Sequence, residues 1–262
     1  MLLSVSNIAW EASQDAYVHA KMEEMGYTGL EIAPTRIFPE TPYDKLEEAA
    51  SWSESIKQEH GFCVPSMQSI WFGRNEMLFG TEEDRKILLA YTKKAVDFAA
   101  SVGCKNLVFG CPRNRNLPEG ADEGVAIAFF KELGDYAYQK GTCIGMEANP
   151  TIYNTNYIND TKSALDLIAQ VDSKGYLLNL DVGTMIQNKE EADALIGQVH
   201  LINHVHISEP GLAPIEEREL HRQLSKVLRD EHYEKYISIE MGKKEDTTAL
   251  YSAMEYVRKV FL

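Results

Sequence analysis

One pattern recurs along this chain: a helical segment, a glycine, and then a short apolar run that is typical of a buried strand. It occurs five times, and its glycines are Gly26, Gly61, Gly103, Gly141 and Gly175. Glycine adopts a left-handed conformation at little cost, so each of them predicts the end of a helix. Two later units, ahead of INHVHIS and YISIE, keep the same order without the glycine. Such a series favours an alternating α/β fold with a parallel sheet.

Together with an opening strand, the series predicts eight strands. They lie at about residues 3–9, 28–33, 62–68, 105–110, 142–148, 176–181, 203–208 and 236–241. Eight alternating units favour a single (β/α)8 TIM barrel domain over residues 1–262, and a doubly wound open sheet is the alternative. No glycine-rich phosphate loop follows any of the strands, and we find no linker or low-complexity segment.

Three helices can be placed from their N-terminal caps. Residues 82–102 follow Thr81, which has Asp84 three positions later, as in a capping box. Asp160 and Asp246 are the expected caps of helices over 161–172 and 247–261.

Composition argues against several classes of protein. The chain has 40 acidic and 26 basic residues and a formal net charge of −14, so we do not expect it to bind nucleic acid or an anionic membrane. Its four cysteines lack the spacing of a metal site, and a disulfide framework is not expected. We see no signal peptide and no apolar run of about 18 residues, so the expected location is the cytoplasm.

Four acidic or imidazole residues end four successive predicted strands. They are Glu147 in CIGMEANP, Asp181 in LLNLDVG, His206 in NHVHISEP and Glu240 in YISIEM, with gaps of 34, 25 and 34 residues. Each gap fits one strand–loop–helix–loop unit. Because the C-terminal ends of barrel strands meet on one face, we expect the four side chains to converge. Three carboxylates and one imidazole at one point predict a divalent-metal site.

Each of these residues has a simpler interpretation when it is taken alone. Glu147 and Glu240 could form buried salt bridges, and Asp181 could begin an ordinary turn. His204 competes with His206 as a ligand, and we favour His206 because it lies nearer the end of its strand. Oxygen ligands with one imidazole favour manganese, magnesium or cobalt, and zinc is possible. We expect one divalent ion, with Mn²⁺ as the first choice.

At these residues the chain resembles the xylose isomerase-like TIM barrel superfamily, the sugar phosphate isomerase and epimerase group, over essentially its whole length. The resemblance to its ketose 3-epimerases and hydroxypyruvate isomerases implies that Glu147, Asp181, His206 and Glu240 bind one metal ion. It also implies that Glu147 and Glu240 act as paired acid and base. Glu209 matches a glutamate that often follows the metal histidine by three residues.

Two positions depart from the pattern of the family. Thr184 stands where many relatives have a histidine that helps to hold the substrate. The epimerases also carry an arginine in the loop after the metal histidine, for which Arg218 or His221 would be the substitute here. Relatives of the endonuclease branch need further histidines that this chain lacks near Gln68 and Thr184, so that branch is not expected.

The expected function is a metal-dependent isomerase or epimerase of a sugar, a sugar phosphate or a related hydroxy-ketone. The ion would polarise a carbonyl and stabilise an enediolate, while Glu147 and Glu240 move the proton. The alternatives are an inosose-type dehydratase of the same superfamily and a non-catalytic sugar-binding barrel, which Thr184 makes more credible. Because relatives are often dimers or tetramers, a homo-oligomer is also expected.

Loop residues after the strands are candidates for contacts with the substrate. Arg113 and Arg115 suit a phosphate or carboxylate, although a solvated basic loop is the alternative. Asn149 and Tyr153 would hydrogen-bond sugar hydroxyls, and His221 would approach from the segment after the seventh strand. Aromatic side chains would form apolar walls or only pad the loops: Trp71, Phe72, Phe79 and Tyr153.

Overall fold

The centre of the fold is a curled sheet of seven parallel strands, seen in a computed structural model that describes residues 1–262. The strands are β1 (Leu2–Ser6), β2 (Gly29–Glu31), β3 (Leu107–Phe109), β4 (Ile144–Met146), β5 (Tyr176–Asp181), β6 (Ile202–Ile207) and β7 (Tyr236–Ile239). Their order in the sheet is β2-β1-β7-β6-β5-β4-β3. All pairs are parallel, so every strand ends on the same face.

Residues 62–68, where the third strand was predicted, close the gap between β2 and β3. The main chain of this segment bonds to both neighbours: Leu30 N donates to Cys63 O at 2.9 Å, and Val108 N donates to Met67 O at 2.8 Å. Only isolated bridges form, because Pro65 has no N–H to continue a ladder. The predicted (β/α)8 barrel is therefore confirmed, with an irregular segment in the place of one strand.

Nine helices surround the barrel. They are α1 (Asp15–Glu24), α2 (Pro34–Ile37), α3 (Leu46–His60), α4 (Glu82–Ser101), α5 (Gly124–Gln139), α6 (Thr161–Val171), α7 (Val182–Asn188), α8 (Glu219–Asp230) and α9 (Thr248–Phe261). Short 3-10 turns lie at Asn7–Ala9, Ala12–Gln14, Pro42–Asp44, Pro112–Asn114, Thr151–Tyr153, Ala192–Leu195, Val199–Leu201 and Pro210–Leu212. No helix is both long enough and apolar enough to cross a membrane.

The helix caps largely follow the sequence prediction. Thr81 Oγ1 accepts from Asp84 N at 3.1 Å, and Asp160 Oδ1 accepts from Ser163 N at 2.7 Å. Asp246 lies one residue before the observed N-cap of α9, and it accepts from the amide of Thr248 instead. The two caps of α4 and α6 are confirmed, and that of α9 is displaced by one position.

Four of the five repeating glycines have a positive φ between 71° and 75°, as predicted: Gly26, Gly61, Gly103 and Gly141. The prediction is wrong for Gly175, because Asp172 takes the left-handed position after α6, with φ 46°. Gly175 is required for another reason. A Cβ there would collide with the main chain of α5 at Gly134 and Tyr138.

The interior of the barrel is polar, in contrast to the apolar layer between strands and helices. One continuous apolar cluster reaches from Leu3 to Phe261 and fills that layer. Inside the barrel lie polar side chains that are almost fully buried, and most of them contact one another: Ser4, Ser6, Glu31, Gln68, Asn106, Asn179, His204 and His206. This polar interior leads up to the face on which the strands end.

Candidate metal centre

The four strand-end side chains converge at the C-terminal face of the barrel. Glu147 follows β4, Asp181 ends β5, His206 lies in β6 and Glu240 follows β7. The ligand atoms that they offer all lie within 4.8 Å of one another. Nδ1 of His206 is 3.0 Å from Glu147 Oε1 and 3.3 Å from Glu240 Oε2. We call this group, Glu147, Asp181, His206 and Glu240, the upper cluster.

Neutral donors hold two of the carboxylates of the upper cluster. Asn179 Nδ2 donates to Glu147 Oε1 at 2.8 Å. Thr184 N donates to Asp181 Oδ2 at 2.8 Å, and the Thr184 hydroxyl lies 2.7 Å from the same oxygen. Ser208 Oγ donates to Asp181 Oδ1. No lysine or arginine pairs with any carboxylate of the cluster, so only His206 can offset its charge.

The protein without an ion compensates for this charge by holding protons. Burial raises the pKa of Glu240 to about 7, and burial together with the nearby Glu147 raises the pKa of Asp181. Burial alone would lower the pKa of His206, but Glu31 and Glu240 raise it well above its usual value. A divalent cation would displace these protons and satisfy three carboxylates at once. The donor set, three oxygen ligands and one imidazole nitrogen, therefore fits such an ion.

A second group of titratable side chains lies directly beneath and shares His206. We call Glu31 and His204 the lower pair. Glu31 Oε2 accepts from His206 Nε2 at 2.9 Å, and its Oε1 accepts from Gln68 Nε2 at 3.1 Å. His204 Nε2 is 3.0 Å from Glu31 Oε2, but without the direction of a hydrogen bond. Glu31 and His204 are sealed from solvent, whereas the upper cluster opens to a cavity.

Glu31 determines which nitrogen of His206 faces the upper cluster. Burial alone would raise the pKa of Glu31, but the two histidines lower it well below its usual value, so it is a carboxylate. A carboxylate beside Nε2 requires the proton of the neutral imidazole on Nε2. Nδ1 is then free to bind an ion together with Glu147, Asp181 and Glu240.

Two chambers open from the upper cluster, and Glu147, Glu240 and Pro112 line both. The large chamber has a volume of about 360 Å³, and its other walls include Gln68, Trp71, Phe72, Arg74, Gly110, Arg113 and Asn114. The small chamber has a volume of about 140 Å³, and its other walls are Asn149, Tyr153, Asp181, Ser208, Glu209 and Leu212. A substrate at the cluster would therefore have room on both sides.

The structure separates the two arginines that the sequence grouped together. Arg113 is exposed and lines the large chamber, where its Nη2 donates to Asn75 Oδ1 at 3.0 Å. Arg115 is fully buried, and its guanidinium donates to Glu147 O and Asn149 Oδ1, both at 2.9 Å. Burial lowers the pKa of Arg115 to about 10. The prediction that Arg115 contacts the substrate is wrong, because this side chain supports the main chain at Glu147.

Asn149 and Tyr153 lie where substrate contacts were predicted, in the wall of the small chamber. Asn149 Nδ2 donates to Glu147 Oε2 at 3.1 Å. The Tyr153 hydroxyl accepts from Gly211 N at 2.9 Å, and this bond joins the loops that follow β4 and β6. Both side chains therefore border the cavity and help to shape it.

The other two predicted substrate contacts are occupied elsewhere. Glu209 lines the small chamber, but both of its oxygens accept from Arg218 at 2.6 Å. This ion pair holds the loop between β6 and α8. His221 is fully buried in α8, beside the Tyr256 hydroxyl at 3.1 Å, and burial lowers its pKa to about 4. The prediction for His221 is wrong, because it lines neither chamber and packs between α8 and α9.

Sequence reasoning missed the side chains that orient the cluster, above all Glu31. Its position carried a signal, because it ends the buried strand GLE as the four predicted ligands end theirs. A buried carboxylate is costly unless donors or a cation compensate it. Asn179 and Gln68 carried a weaker signal in the sequence, since a single amide in an apolar strand does not reveal its hydrogen-bond partner.

The comparisons with known proteins agree with this architecture. The sequence model of a family described as xylose isomerase-like TIM barrel matches residues 20–260. No curated protein matches the sequence significantly.

Several solved structures have the same fold. A 3-keto-D-glucoside 4-epimerase from E. coli is 21% identical with a TM-score of 0.78, over 99% of both chains. A D-psicose 3-epimerase from Clostridium cellulolyticum is 15% identical with a TM-score of 0.79, over 100% of this chain and 99% of the other. A family 2 AP endonuclease from Brucella melitensis is 19% identical with a TM-score of 0.71, over 94% of this chain and 95% of the other. At such identities the similarity shows the fold and leaves the activity open.

Proposed function

Because this chain belongs to the xylose isomerase-like TIM barrel family, we propose that it is a divalent-metal-dependent isomerase or epimerase of a sugar or sugar derivative. The observation that carries the proposal is the upper cluster. Three buried carboxylates and one imidazole meet there without a lysine or arginine to compensate them, at the junction of two chambers. We propose one ion at Glu147, Asp181, His206 and Glu240, with Mn²⁺ first and Mg²⁺, Co²⁺ or Zn²⁺ as alternatives.

Glu147 and Glu240 are the proposed acid and base. When bound, the ion would polarise the substrate carbonyl and offset the negative charge that develops on its oxygen. Both carboxylates border both chambers, so a substrate that lies across the junction would be within reach of both. One glutamate takes a proton from the carbon beside the carbonyl, and the other returns a proton. Return to the same carbon from the opposite face gives epimerisation, and return to the neighbouring carbon gives isomerisation.

The small chamber would hold the hydroxyl-bearing part of the substrate. Asn149 and Tyr153 are its neutral polar walls, and both lie beside the proposed acid–base pair. Asn149 also bonds to Glu147 Oε2, so it would keep that carboxylate oriented while the proton moves. Glu209 would act through the loop that it fixes, because its oxygens are committed to Arg218.

A small-molecule sugar derivative is the proposed partner, and a homo-oligomer is the proposed assembly. Four free cysteines fit a reducing compartment, and the cytoplasm is the proposed location.

One observation favours a second candidate, a barrel that binds a sugar without turning it over. The Thr184 hydroxyl lies 2.8 Å from Ala148 O and 2.7 Å from Asp181 Oδ2, so it is turned away from the cavity. The position at which many relatives hold the substrate with a histidine therefore offers no contact here. Binding of a sugar without solvent exchange at any of its carbons would favour this second candidate.

Proton NMR in D₂O tests the proposal. The Mg²⁺-loaded protein would be mixed with ketoses, ketose phosphates, hydroxypyruvate and inososes, and an EDTA-treated sample would serve as the control. Because paramagnetic Mn²⁺ broadens the lines, a silent panel would be repeated with Mn²⁺ and quenched before the spectra are recorded. Deuterium uptake beside a carbonyl that EDTA abolishes is the expected result. Loss of water from an inosose would instead identify a dehydratase, and no exchange with either metal would contradict the proposal.

A further inference from the structure

The two chambers beside the upper cluster differ in electrostatic character. The small chamber has four carboxylates in its walls and no lysine or arginine: Glu147, Asp181, Glu209 and Glu240. The large chamber shares Glu147 and Glu240 but adds two arginines, Arg74 and Arg113. Glu209 is paired with Arg218, and the other three carboxylates of the small chamber are proposed ligands of the ion. Positive charge from the side chains of the walls is therefore confined to the large chamber.

Arg113 is the arginine of the large chamber whose charge is not compensated. Arg74 forms an ion pair with Glu76, with Nε 3.0 Å from Oε2, and its guanidinium lies over the ring of Tyr91. Arg113 bonds only to the neutral side chain of Asn75, and no carboxylate pairs with it. An unpaired arginine at a cavity of a chain with net charge −14 is a site at which an anion gains a partner.

The loop that carries Arg113 is fixed before any ligand arrives. Asn114 Nδ2 donates to Glu76 O at 2.8 Å and to Arg74 O at 3.2 Å. In the reverse direction, Leu78 N donates to Asn114 O at 2.8 Å. These bonds join the loops of the two arginines into one wall. An anion would therefore meet a preformed site, and little ordering of the chain would oppose binding.

We propose that the substrate is an anionic sugar derivative whose phosphate or carboxylate lies at Arg113, in the large chamber. Its hydroxyl-bearing end then lies in the small chamber, where Asn149, Tyr153 and Ser208 offer neutral hydrogen-bonding groups and no lysine or arginine lines the wall to pair with an anion. Because only the large chamber holds an arginine without a carboxylate partner, this difference sets a single orientation across the upper cluster. This assignment rests on the proposed function, because it names the substrate class of the same site.

The test compares three ligands of one carbon skeleton: fructose, fructose phosphorylated on its C6 hydroxyl, and fructuronate, whose carboxylate is C6. Their dissociation constants would be measured by calorimetry with the Mg²⁺-loaded protein and with three variants. Arg113→Gln removes the charge, and Arg113→Lys keeps the charge without the planar guanidinium. Arg222→Gln is the matched control, because Arg222 is a half-exposed arginine of α8 that pairs with Glu217 and Glu219 and lines neither chamber.

We expect at least one anionic sugar to bind more tightly than fructose, and the better of the two identifies phosphate or carboxylate. Arg113→Gln should weaken that ligand about 10- to 100-fold and leave fructose unchanged, as expected for one charge-assisted contact. Arg113→Lys should fall in between, and Arg222→Gln should match the wild type. Thermal unfolding of each variant would verify that the fold is intact.

The proposal is overturned if neither anion binds more tightly than fructose, or if Arg113→Gln weakens all three ligands equally. Deuterium exchange measured on the same samples separates this result from the proposed function. Exchange into fructose without any preference for the anions would leave the isomerase or epimerase standing and remove the anionic substrate. An Arg113-dependent preference for an anion without deuterium exchange would support the anion site and remove the isomerase or epimerase activity.

Discussion

The upper cluster and the lower pair beneath it are built from the same kinds of side chain, yet they differ in what compensates their charge. Both are buried, both contain acidic and imidazole side chains, and His206 of the upper cluster contacts Glu31 of the lower pair. In the lower pair the single carboxylate, Glu31, accepts from Gln68 and His206 and needs nothing more. In the upper cluster three carboxylates compete for one imidazole and for neutral donors.

This difference teaches that burial of acidic residues does not by itself identify a metal site. A buried carboxylate with enough N–H donors is a structural element that orients its neighbours. A group of carboxylates with too few donors is stable only if it holds protons or a cation. Glu31 belongs to the first kind and Glu240 to the second, which is why their pKa values shift in opposite directions.

Replacing a carboxylate of the acid–base pair should have the largest effect. We expect Glu147→Gln and Glu240→Gln each to lower the rate of deuterium exchange by about 10²–10⁴-fold or more, because each removes one proton-transfer group. NMR exchange rates would measure this, and circular dichroism would show that the fold remains. An exchange rate close to that of the wild type in either variant would contradict the assignment of Glu147 and Glu240 as acid and base.

The two regions should respond to pH with opposite sign. The pKa of Glu240 is raised from 4.5 to about 7 in the folded protein without an ion. The folded state therefore favours the protonated form, and the metal-free protein loses stability as the pH rises from about 4.5 to about 7. The pKa of Glu31 is lowered, so its contribution is present at neutral pH and is lost as pH falls through its low folded value.

A divalent ion should therefore stabilise the protein more at pH 7 than at pH 5. At a fixed ion concentration of 100 times the dissociation constant at pH 7, we expect a gain of about 2.7 kcal/mol in the free energy of unfolding at pH 7 and a smaller gain at pH 5. Chemical denaturation with and without EDTA at several pH values would measure it. An equal gain at both pH values would contradict the picture of protons exchanged for an ion.

A substitution in the lower pair should reduce the affinity for the ion without removing any of its ligands. We expect Glu31→Gln to reduce the affinity for Mn²⁺ about 10- to 100-fold, because the carboxylate that orients His206 is lost. The electron paramagnetic resonance signal of free Mn²⁺ would report the affinity. Ser6→Ala is the matched control, since Ser6 bonds to Gln68 and leaves the bond between Glu31 and His206 in place. Unchanged affinity in Glu31→Gln would mean that the lower pair has no part in the site.

The smallest effect is expected at Thr184. Thr184→Val removes a hydroxyl beside Asp181 and keeps the main-chain donor, so the affinity for Mn²⁺ should fall by about threefold to tenfold, or ~1 kcal/mol. Thr184→Ser should restore the affinity of the wild type. If Thr184→Val binds Mn²⁺ as tightly as the wild type does, the main-chain amide of residue 184 and the Ser208 hydroxyl are enough to hold Asp181.

Most of the barrel was predictable because its signals are local. Glycines at helix ends, short apolar runs and the caps of α4 and α6 depend on a few neighbouring residues. The two failures have different causes, one distant and one local. Gly175 is required by the main chain of α5, and the predicted third strand is interrupted by its own Pro65.

By itself the sequence determined which residues could meet, because strand ends on one face of a barrel bring Glu147, Asp181, His206 and Glu240 together. Only the tertiary structure decided what each neighbour does. It placed Arg113 in the wall of the cavity and Arg115 beneath Glu147, although two positions separate them. It also placed Glu31 under His206 across 175 residues of chain. Position along a strand reports which end of the barrel a residue occupies, whereas hydrogen-bond partners depend on how distant segments pack.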